Sequence, residues 1–302
     1  MVNPFEVVRL TRPIHWVKNV SLFAALVFSG LLTEKDLFMR VFIAFWAFNF
    51  AASASYVFND IFDAKRDRLH PRKKNRPIAK GTVSIPLAFL IASGCGLMAL
   101  LLSLYLSPLF MLVLMGYLLL QVAYSLYLKN MHIIDILIIA SGFVIRVYSG
   151  AFVINAHLSV WFLLCVISVA LFLASGKRRA ELGNIDAPSE TRKSLSQYSR
   201  ELLNSYVTMF GNAAWMSWAL FTFFESPTAP QHLWLVLAEI SRTTTVNKLL
   251  MITIPVTIFG IMRYESLIFQ GRTEAPEKLL LTDKALVASV LLWIALVILI
   301  LY

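Results

Sequence analysis

The stretch from Tyr56 to Gly81 reads YVFNDIFDAKRDRLHPRKKNRPIAKG and holds three aspartates and eight lysine or arginine residues. It directly follows a long apolar run, so it lies where a membrane-spanning segment meets water. Asp60, Asp63 and Asp67 are spaced i, i+3 and i+7, which places them on one face if the helix continues through them. Carboxylates that share a face repel each other, so the spacing predicts a cation that compensates them.

The chemistry of this stretch is that of a diphosphate site. Mg²⁺ takes oxygen ligands and commonly binds one or two carboxylates together with substrate phosphates. The basic residues that follow suit the remaining phosphate charge: Arg72, Lys73, Lys74 and Arg76. The alternative is a solvated loop with ordinary positive charge at the cytoplasmic face. That alternative explains the cations but not three aspartates in helical register.

The chain as a whole is apolar. Of its 302 residues 59% are hydrophobic and 15% are charged, whereas soluble domains average about 45–50% apolar and about 25% charged. Nine apolar stretches approach the length of about 20 residues that spans a bilayer. The sequence therefore predicts an all-α polytopic membrane protein, one domain over 1–302, with spans near 19–33, 37–58, 85–106, 109–127, 133–154, 160–175, 204–224, 246–264 and 284–302.

The distribution of basic residues predicts the orientation in the membrane. The loops at 59–84, 176–203 and 265–283 carry lysine and arginine, and the turns at 107–108 and 155–159 carry none. Cytoplasmic loops hold the excess of Lys and Arg, so we predict a cytoplasmic-membrane protein with its N-terminus inside and its C-terminus outside. Basic residues precede the first span, which predicts a helix at the cytoplasmic face rather than a signal peptide. Residues 225–245 are expected to hold a short interfacial helix. The net charge of +10 sits in these loops, which argues against nucleic acid as a partner.

The aspartate stretch also resembles a known motif. The pattern Asn59-Asp60-x-x-Asp63-x-x-x-Asp67, followed by His70-Pro71 and Arg76-Pro77-Ile78-Ala79-x-Gly81, resembles the first aspartate-rich motif of the UbiA superfamily of membrane prenyltransferases. The resemblance implies nine transmembrane helices around a central cavity and a motif that binds Mg²⁺ and a diphosphate. It implies Asn59, Asp63 and Asp67 as metal ligands, with Asp60, Asp63 and Asp67 as the catalytic residues.

The sequence departs from most of the superfamily at the second motif, often D-x-x-x-D. The corresponding region offers a lone Asp135, with Ile139 four residues later. A wider set of residues is similar to the branch that transfers phosphoribose to a polyprenyl phosphate: Arg12-Pro13-x-x-Trp16-x-Lys18-Asn19, Tyr124-Ser125-x-x-Leu128-Lys129, Gly142-Phe143-x-x-Arg146, Lys177-Arg178-Arg179-x-Glu181 and Met262-Arg263-Tyr264.

This resemblance implies a particular reaction. The soluble sugar phosphoribosyl pyrophosphate (PRPP) carries the diphosphate, and a polyprenyl monophosphate of the decaprenyl type is the acceptor. The acceptor phosphate attacks C1 of the ribose and pyrophosphate leaves, its charge stabilised by Mg²⁺ and cations. The product is a precursor of cell-wall arabinan. Two alternatives stay open: a prenyltransferase that uses a prenyl diphosphate with an aromatic or other acceptor, and a transporter or channel.

Further polar residues are candidates for substrate binding. Arg146 lies inside the apolar run SGFVIRVYSG, where a charge is costly and usually faces an internal cavity. It is expected to clamp PRPP or the lipid phosphate. Lys129 is either a phosphate ligand or a positive anchor, and Asp135 either orients a ribose hydroxyl or a second metal or is structural. The complete expected set is Lys18, Tyr56, Asn59, Lys73, Lys74, Arg76, Lys129, Asp135 and Arg146.

Overall fold

The computed structural model of the protein describes residues 4–69, 73–183, 194–225, 246–270, 279 and 282–302. Secondary structure in these ranges is helical throughout, which confirms the predicted all-α class. The α-helices are α1 Pro4–Thr11, α2 Phe23–Phe28, α3 Lys35–Leu69, α4 Pro77–Lys80, α5 Ile85–Leu106, α6 Pro108–Leu126, α7 Ile134–Ile154, α8 Val160–Gly183, α9 Arg200–Phe224, α10 Ile254–Phe269 and α11 Lys284–Leu301. Short 3₁₀ segments span Pro13–Leu22, Lys73–Asn75, Leu128–Asn130, Leu195–Gln197 and Val246–Thr253.

Seven helices in the described ranges are long and apolar enough to cross a membrane. They are α3, α5, α6, α7, α8, α11 and the stretch Lys248–Phe269 that includes α10. Each coincides with a predicted span, which confirms a multi-pass membrane protein. The count of nine spans is not confirmed. The span predicted near 204–224 falls on α9, which is 25 residues long but not among the seven.

The first predicted span, 19–33, is wrong as a continuous helix. The chain passes from the 3₁₀ segment Pro13–Leu22 into α2, which has only six residues. Gly30 follows with a φ of 71°, in the left-handed region that ends a right-handed helix. Six residues rise about 9 Å in an α-helix, far short of a hydrocarbon core of about 30 Å.

Helix α3 carries the aspartates. It has 35 residues without glycine or proline, which gives a length of about 52 Å. That length exceeds the hydrocarbon core by about 20 Å. The helix continues past residue 58, where the predicted span ends, and its last turns carry Asp60, Asp63 and Asp67.

The chain divides into two compact units, the first made of residues 1–26, 32–129 and 145–156. In this unit α3 packs against α5, α6 and the segment Pro13–Leu22. Small side chains on both α3 and α5 are buried, and small residues let helix backbones approach closely in membranes: Ala44, Ala47, Ala51, Ala88 and Ala92. A second apolar cluster of Leu10, Val57, Ala64, Ile78 and Val83 fixes α1 and α4 to the aspartate-bearing end of α3.

The second unit contains residues 27–31, 130–144 and 157–302. Here α8 packs against α9, and α10 packs against α11. The sixth predicted span extends into its loop as expected, because α8 continues to Gly183 and takes in Lys177, Arg178 and Arg179. The interfacial helix predicted within 225–245 falls almost entirely outside the described residues.

Candidate active site

Asp60 and Asp67 are both held by one guanidinium. Arg76 Nη1 lies 3.0 Å from Asp60 Oδ1 and 2.6 Å from Asp67 Oδ2. Arg12 donates a second hydrogen bond to Asp60 from its Nη2. Both carboxylates are buried, with 2% and 3% of their surface exposed. The charge of the two buried aspartates is therefore compensated by arginines that lie outside α3.

Local backbone features place these two arginines. Arg76 precedes α4, which opens with Pro77 at its first position and ends at Gly81 with a φ of 82°. Proline and glycine favour these two positions of a helix. Arg12 lies between α1 and the 3₁₀ segment with a φ of 53°, which turns the chain there. Its guanidinium carbon lies 5.4 Å from the centre of the Tyr56 ring, at the distance of a cation–π contact.

The third aspartate has a different partner. Lys129 Nζ lies 2.7 Å from Asp63 Oδ1 and 3.5 Å from Asn59 Oδ1. Asn59 Nδ2 in turn donates to Asp63 Oδ2 at 3.1 Å. Lys129 is 4% exposed, so an anchor at the membrane surface is a poor description of it. The structure thus joins three predicted residues, and we call Asn59, Asp60, Asp63, Asp67, Arg12, Arg76 and Lys129 the aspartate cluster.

Four other predicted residues lie around this cluster or near it. Tyr56 is one turn before Asp60 on α3 and lies under Arg12. Lys73 is half-buried and interacts electrostatically with Asp67. Lys74 is exposed on the same short turn. Lys18 is half-buried in the segment Pro13–Leu22.

The aspartate cluster offers a partial set of ligands for Mg²⁺. In the described ranges no group of three or more His, Cys, Asp or Glu is arranged to hold a metal. Asn59 and Asp63 nevertheless lie side by side on α3 and present amide and carboxylate oxygens, the ligand type that Mg²⁺ prefers. Asp67 is taken up by Arg76. The residues fit a metal that completes its shell with substrate phosphates and water, the usual arrangement for Mg²⁺.

Arg146 lies in the middle of α7 and makes a second polar cluster. It is 5% exposed; its Nε donates to Asn19 Oδ1 at 2.5 Å and its Nη2 to the Tyr117 hydroxyl at 2.8 Å. Asn19 Nδ2 donates to Asn49 Oδ1 at 2.6 Å. The guanidinium also lies against the rings of Tyr117 and Phe48. We call Asn19, Asn49, Tyr117 and Arg146 the Arg146 cluster; it belongs to the same unit as the aspartate cluster.

Asp135 lies in the second unit and is fully buried. It accepts a hydrogen bond from the Tyr198 hydroxyl at 2.7 Å, and Arg178 Nε lies 3.3 Å from it. Ser194 is a further donor at 3.3 Å. Burial and the hydrogen bond to Asp135 raise the pKa of Tyr198 above its ordinary value, which keeps this hydroxyl protonated as a donor. A role for Asp135 toward a ribose hydroxyl or a second metal stays a prediction.

Sequence reasoning did not place four of these residues in the site: Arg12, Asn19, Asn49 and Tyr117. Arg12 and Asn19 belong to the motif that follows Thr11. Nothing in the neighbouring sequence indicates that they contact Asp60 and Arg146. Asn49 could have been found from the sequence, because an amide within the apolar run FWAFNFAASAS is unusual and polar residues inside spans are commonly functional. Tyr117 resembles any other aromatic residue of a span, and only the fold places it beside Arg146.

Comparison with known proteins assigns the chain to a family. The sequence model of the UbiA prenyltransferase family matches residues 20–177. The decaprenyl-phosphate phosphoribosyltransferase of Mycolicibacterium smegmatis is 34% identical over 95% of this chain and 89% of its own length. That of Corynebacterium glutamicum is 35% identical over 98% and 86%.

A solved structure shows the same fold. A UbiA homologue from Archaeoglobus fulgidus, bound to GPP and Mg²⁺, superposes with a TM-score of 0.70 at 16% identity, over 98% of this chain and 99% of that one. The family model covers half of the sequence and the relatives cover nearly all of it. The chain belongs to the UbiA prenyltransferase family.

Proposed function

We propose that this protein transfers 5-phosphoribose from PRPP to a polyprenyl monophosphate of the decaprenyl type and releases pyrophosphate. The observation that carries the proposal is the aspartate cluster, in which three carboxylates and three cations meet at the end of α3. The identity of about one third to two decaprenyl-phosphate phosphoribosyltransferases supports the same reaction.

The cluster suits a diphosphate that arrives with a metal. Asn59, Asp63 and Asp67 are the residues that would hold Mg²⁺, which when bound would neutralise charge on the leaving pyrophosphate. Lys129 and Arg76 donate hydrogen bonds to Asp63 and Asp67. With those carboxylates holding Mg²⁺, the ammonium and the guanidinium would be available to donate to phosphate oxygens. Arg12, Tyr56, Lys73, Lys74 and Lys18 complete the proposed substrate-binding residues.

The chemistry requires no general base from the protein. One oxygen of the acceptor phosphate forms a bond to C1 of the ribose while the bond from C1 to the diphosphate oxygen breaks, and the leaving group takes the electron pair. A phosphate monoester is already anionic at neutral pH. The residues of the aspartate cluster therefore have to bind, orient and stabilise negative charge, which is the work of preorganised cations and dipoles.

Asp135 supports the assignment of the diphosphate to the sugar. Most of the superfamily carries a second aspartate pair, D-x-x-x-D, and the corresponding region of this chain offers Asp135 with Ile139 four residues later. We further propose that the chain acts as one domain over 1–302 in the cytoplasmic membrane. The aspartate cluster and the N-terminus face the cytoplasm, and the C-terminus lies outside.

The test is turnover by the purified protein in detergent or nanodiscs. PRPP labelled in the ribose is incubated with Mg²⁺ and polyprenyl monophosphates of several chain lengths, and the lipid fraction is analysed by mass spectrometry. We expect a lipid product heavier by one phosphoribosyl group. Absence of such a product with every acceptor, together with turnover of a prenyl diphosphate, would establish a prenyltransferase instead.

A further inference from the structure

The Arg146 cluster joins four parts of the first unit. Asn19 comes from the segment Pro13–Leu22, Asn49 from α3, Tyr117 from α6 and Arg146 from α7, and each is at most 5% exposed. Tyr117 is nine residues from either end of α6, and Arg146 is similarly central in α7. The cluster therefore lies within the membrane-spanning part of the chain.

The hydrogen-bonding groups of the cluster are mainly donors. Arg146 brings a guanidinium, and the partners described for it, Asn19 and Tyr117, are neutral. The Tyr117 hydroxyl accepts from Arg146 and carries its own proton. Asn49 Nδ2 is buried and has no hydrogen-bond acceptor among the described residues. A buried donor without an acceptor is energetically unfavourable, so a donor-rich site with one such N–H matches a ligand that only accepts hydrogen bonds, namely an anion.

A glycine allows the close approach of α7 to the segment that carries Asn19. Gly150 is one turn after Arg146 on α7, and a Cβ added there would lie 2.0 Å from the Leu22 carbonyl oxygen. Leu22 is one 3₁₀ turn after Asn19. The bare backbone at Gly150 thus lets α7 contact the segment Pro13–Leu22 directly, which places the guanidinium against Asn19.

The Arg146 cluster is too far from the aspartates to share one diphosphate with them. Asn49 and Asp60 are eleven residues apart on the uninterrupted helix α3, which separates their backbones by about 16 Å. The two clusters therefore meet different chemical groups.

We propose that the Arg146 cluster is a second anion subsite and that it binds a phosphate monoester. This inference rests on the proposed function, in which both substrates carry such a group: the 5-phosphate of PRPP and the phosphate of the lipid acceptor. Lys18 directly precedes Asn19 in the segment Pro13–Leu22, so a second cation is one residue away from a member of the cluster. The guanidinium, the unmet amide and the hydroxyl together supply the donors that a tetrahedral phosphate accepts.

The test compares the wild type with Arg146→Met, Arg146→Lys, Tyr117→Phe and a control, Arg40→Met, in which an exposed arginine of α3 is replaced. Ribose 5-phosphate and a polyprenyl monophosphate, which each carry one phosphate monoester, are titrated in detergent without Mg²⁺. Removing a charged hydrogen bond of about 1.5–3 kcal/mol is expected to weaken binding of one of them at least about tenfold. Tyr117→Phe removes only a hydroxyl and is expected to act in the same direction more weakly, which keeps the test valid if Arg146→Met does not fold.

The KM values then identify the source of the phosphate. A rise in the KM for PRPP assigns the subsite to the 5-phosphate, and a rise in the KM for the lipid assigns it to the acceptor. Unchanged binding of both probes in every folded variant overturns the subsite, whatever happens to kcat or thermal stability. Probe binding that depends on Arg146 in a protein without phosphoribosyl transfer would retain the subsite and reject only the proposed function.

Discussion

Lys129 Nζ lies 2.7 Å from Asp63 Oδ1, although 66 residues separate the two in the chain. The lysine is buried, and Asn59 lies on its other side. In the structure the lysine neutralises the carboxylate of Asp63. The proposed function implies an exchange, in which Asp63 would hold Mg²⁺ and the Lys129 ammonium would contact phosphate.

Replacing Lys129 by methionine is expected to have opposite effects on two ligands. Without the ammonium, Asp63 becomes available, so binding of Mn²⁺ alone, as a spectroscopic probe for Mg²⁺, becomes tighter. Binding of PRPP in the presence of metal becomes about tenfold weaker, because a charged hydrogen bond is lost. Titrations followed by electron paramagnetic resonance and by calorimetry measure the two. Lys80→Met, an exposed neighbour on α4, is the control, and parallel weakening of both ligands would contradict the exchange.

Asp63→Ala and Asp67→Ala are expected to lower turnover by about 10²-fold or more, since each group that stabilises developing charge contributes on that scale. Asp36→Ala is the matched control, because Asp36 is an exposed aspartate in the first turn of the same helix. Turnover is measured from labelled PRPP, and size-exclusion profiles verify that each variant is folded. Full Mg²⁺-dependent activity in both cluster variants would reject the metal assignment.

The helical register of the aspartates could be predicted from the sequence, because it depends only on the local period of α3. The partners of those aspartates could not. Arg12 reaches Asp60 across 48 residues of chain and Lys129 reaches Asp63 across 66, and no spacing rule connects them. The sequence predicts that a divalent cation balances the carboxylates. In the structure three cationic side chains, Arg12, Arg76 and Lys129, neutralise them.

Contacts between residues that are distant in the chain also explain the other differences between the sequence-based predictions and the structure. The first apolar stretch has the composition of a span, but Gly30 and the 3₁₀ segment interrupt it. A charge inside an apolar run singles out Arg146 in the sequence, whereas its contacts with Asn19 and Tyr117 depend on how the segment Pro13–Leu22, α6 and α7 pack together. From the sequence Asp135 is a candidate ligand, since no local pattern shows that its partners Arg178 and Tyr198 lie 43 and 63 residues further along the chain.

Gly150→Ala is expected to destabilise the protein. The new Cβ would lie 2.0 Å from a backbone oxygen of Leu22, and backbone does not move aside as a flexible side chain does. Overpacking of this kind costs about 1–3 kcal/mol. Gly94→Ala on α5 is the control, because nothing lies within 4 Å of its added Cβ and alanine favours a helix. Thermal unfolding in detergent compares the two, and equal midpoints would show that α7 and the segment Pro13–Leu22 are not in contact.

Asp135→Asn is expected to lower stability by about 1–3 kcal/mol, since it removes one of the two carboxylates that Arg178 contacts and leaves only Glu181. The KM for PRPP in the folded fraction is expected to stay unchanged. Asp283→Asn is the control, because the pair of Asp283 with Arg263 is partly exposed and exposed pairs contribute only about 0–1 kcal/mol. Asparagine also caps α11 as well as aspartate does. A raised KM at unchanged stability would instead support a substrate role for Asp135.

Helix α3 has one more consequence for substrate selection. Sharp bends in helices arise at proline, glycine or inserted turns, and Lys35–Leu69 contains neither residue. The separation between Asn49 and Asp60 is therefore a fixed length that no ligand alters, and any opening that admits a lipid must hinge elsewhere. If PRPP is the ligand of both clusters, the spacing of its diphosphate and its 5-phosphate must match this backbone separation less the reach of the side chains. If the lipid phosphate occupies the Arg146 cluster, the same length instead fixes the distance between the two substrates.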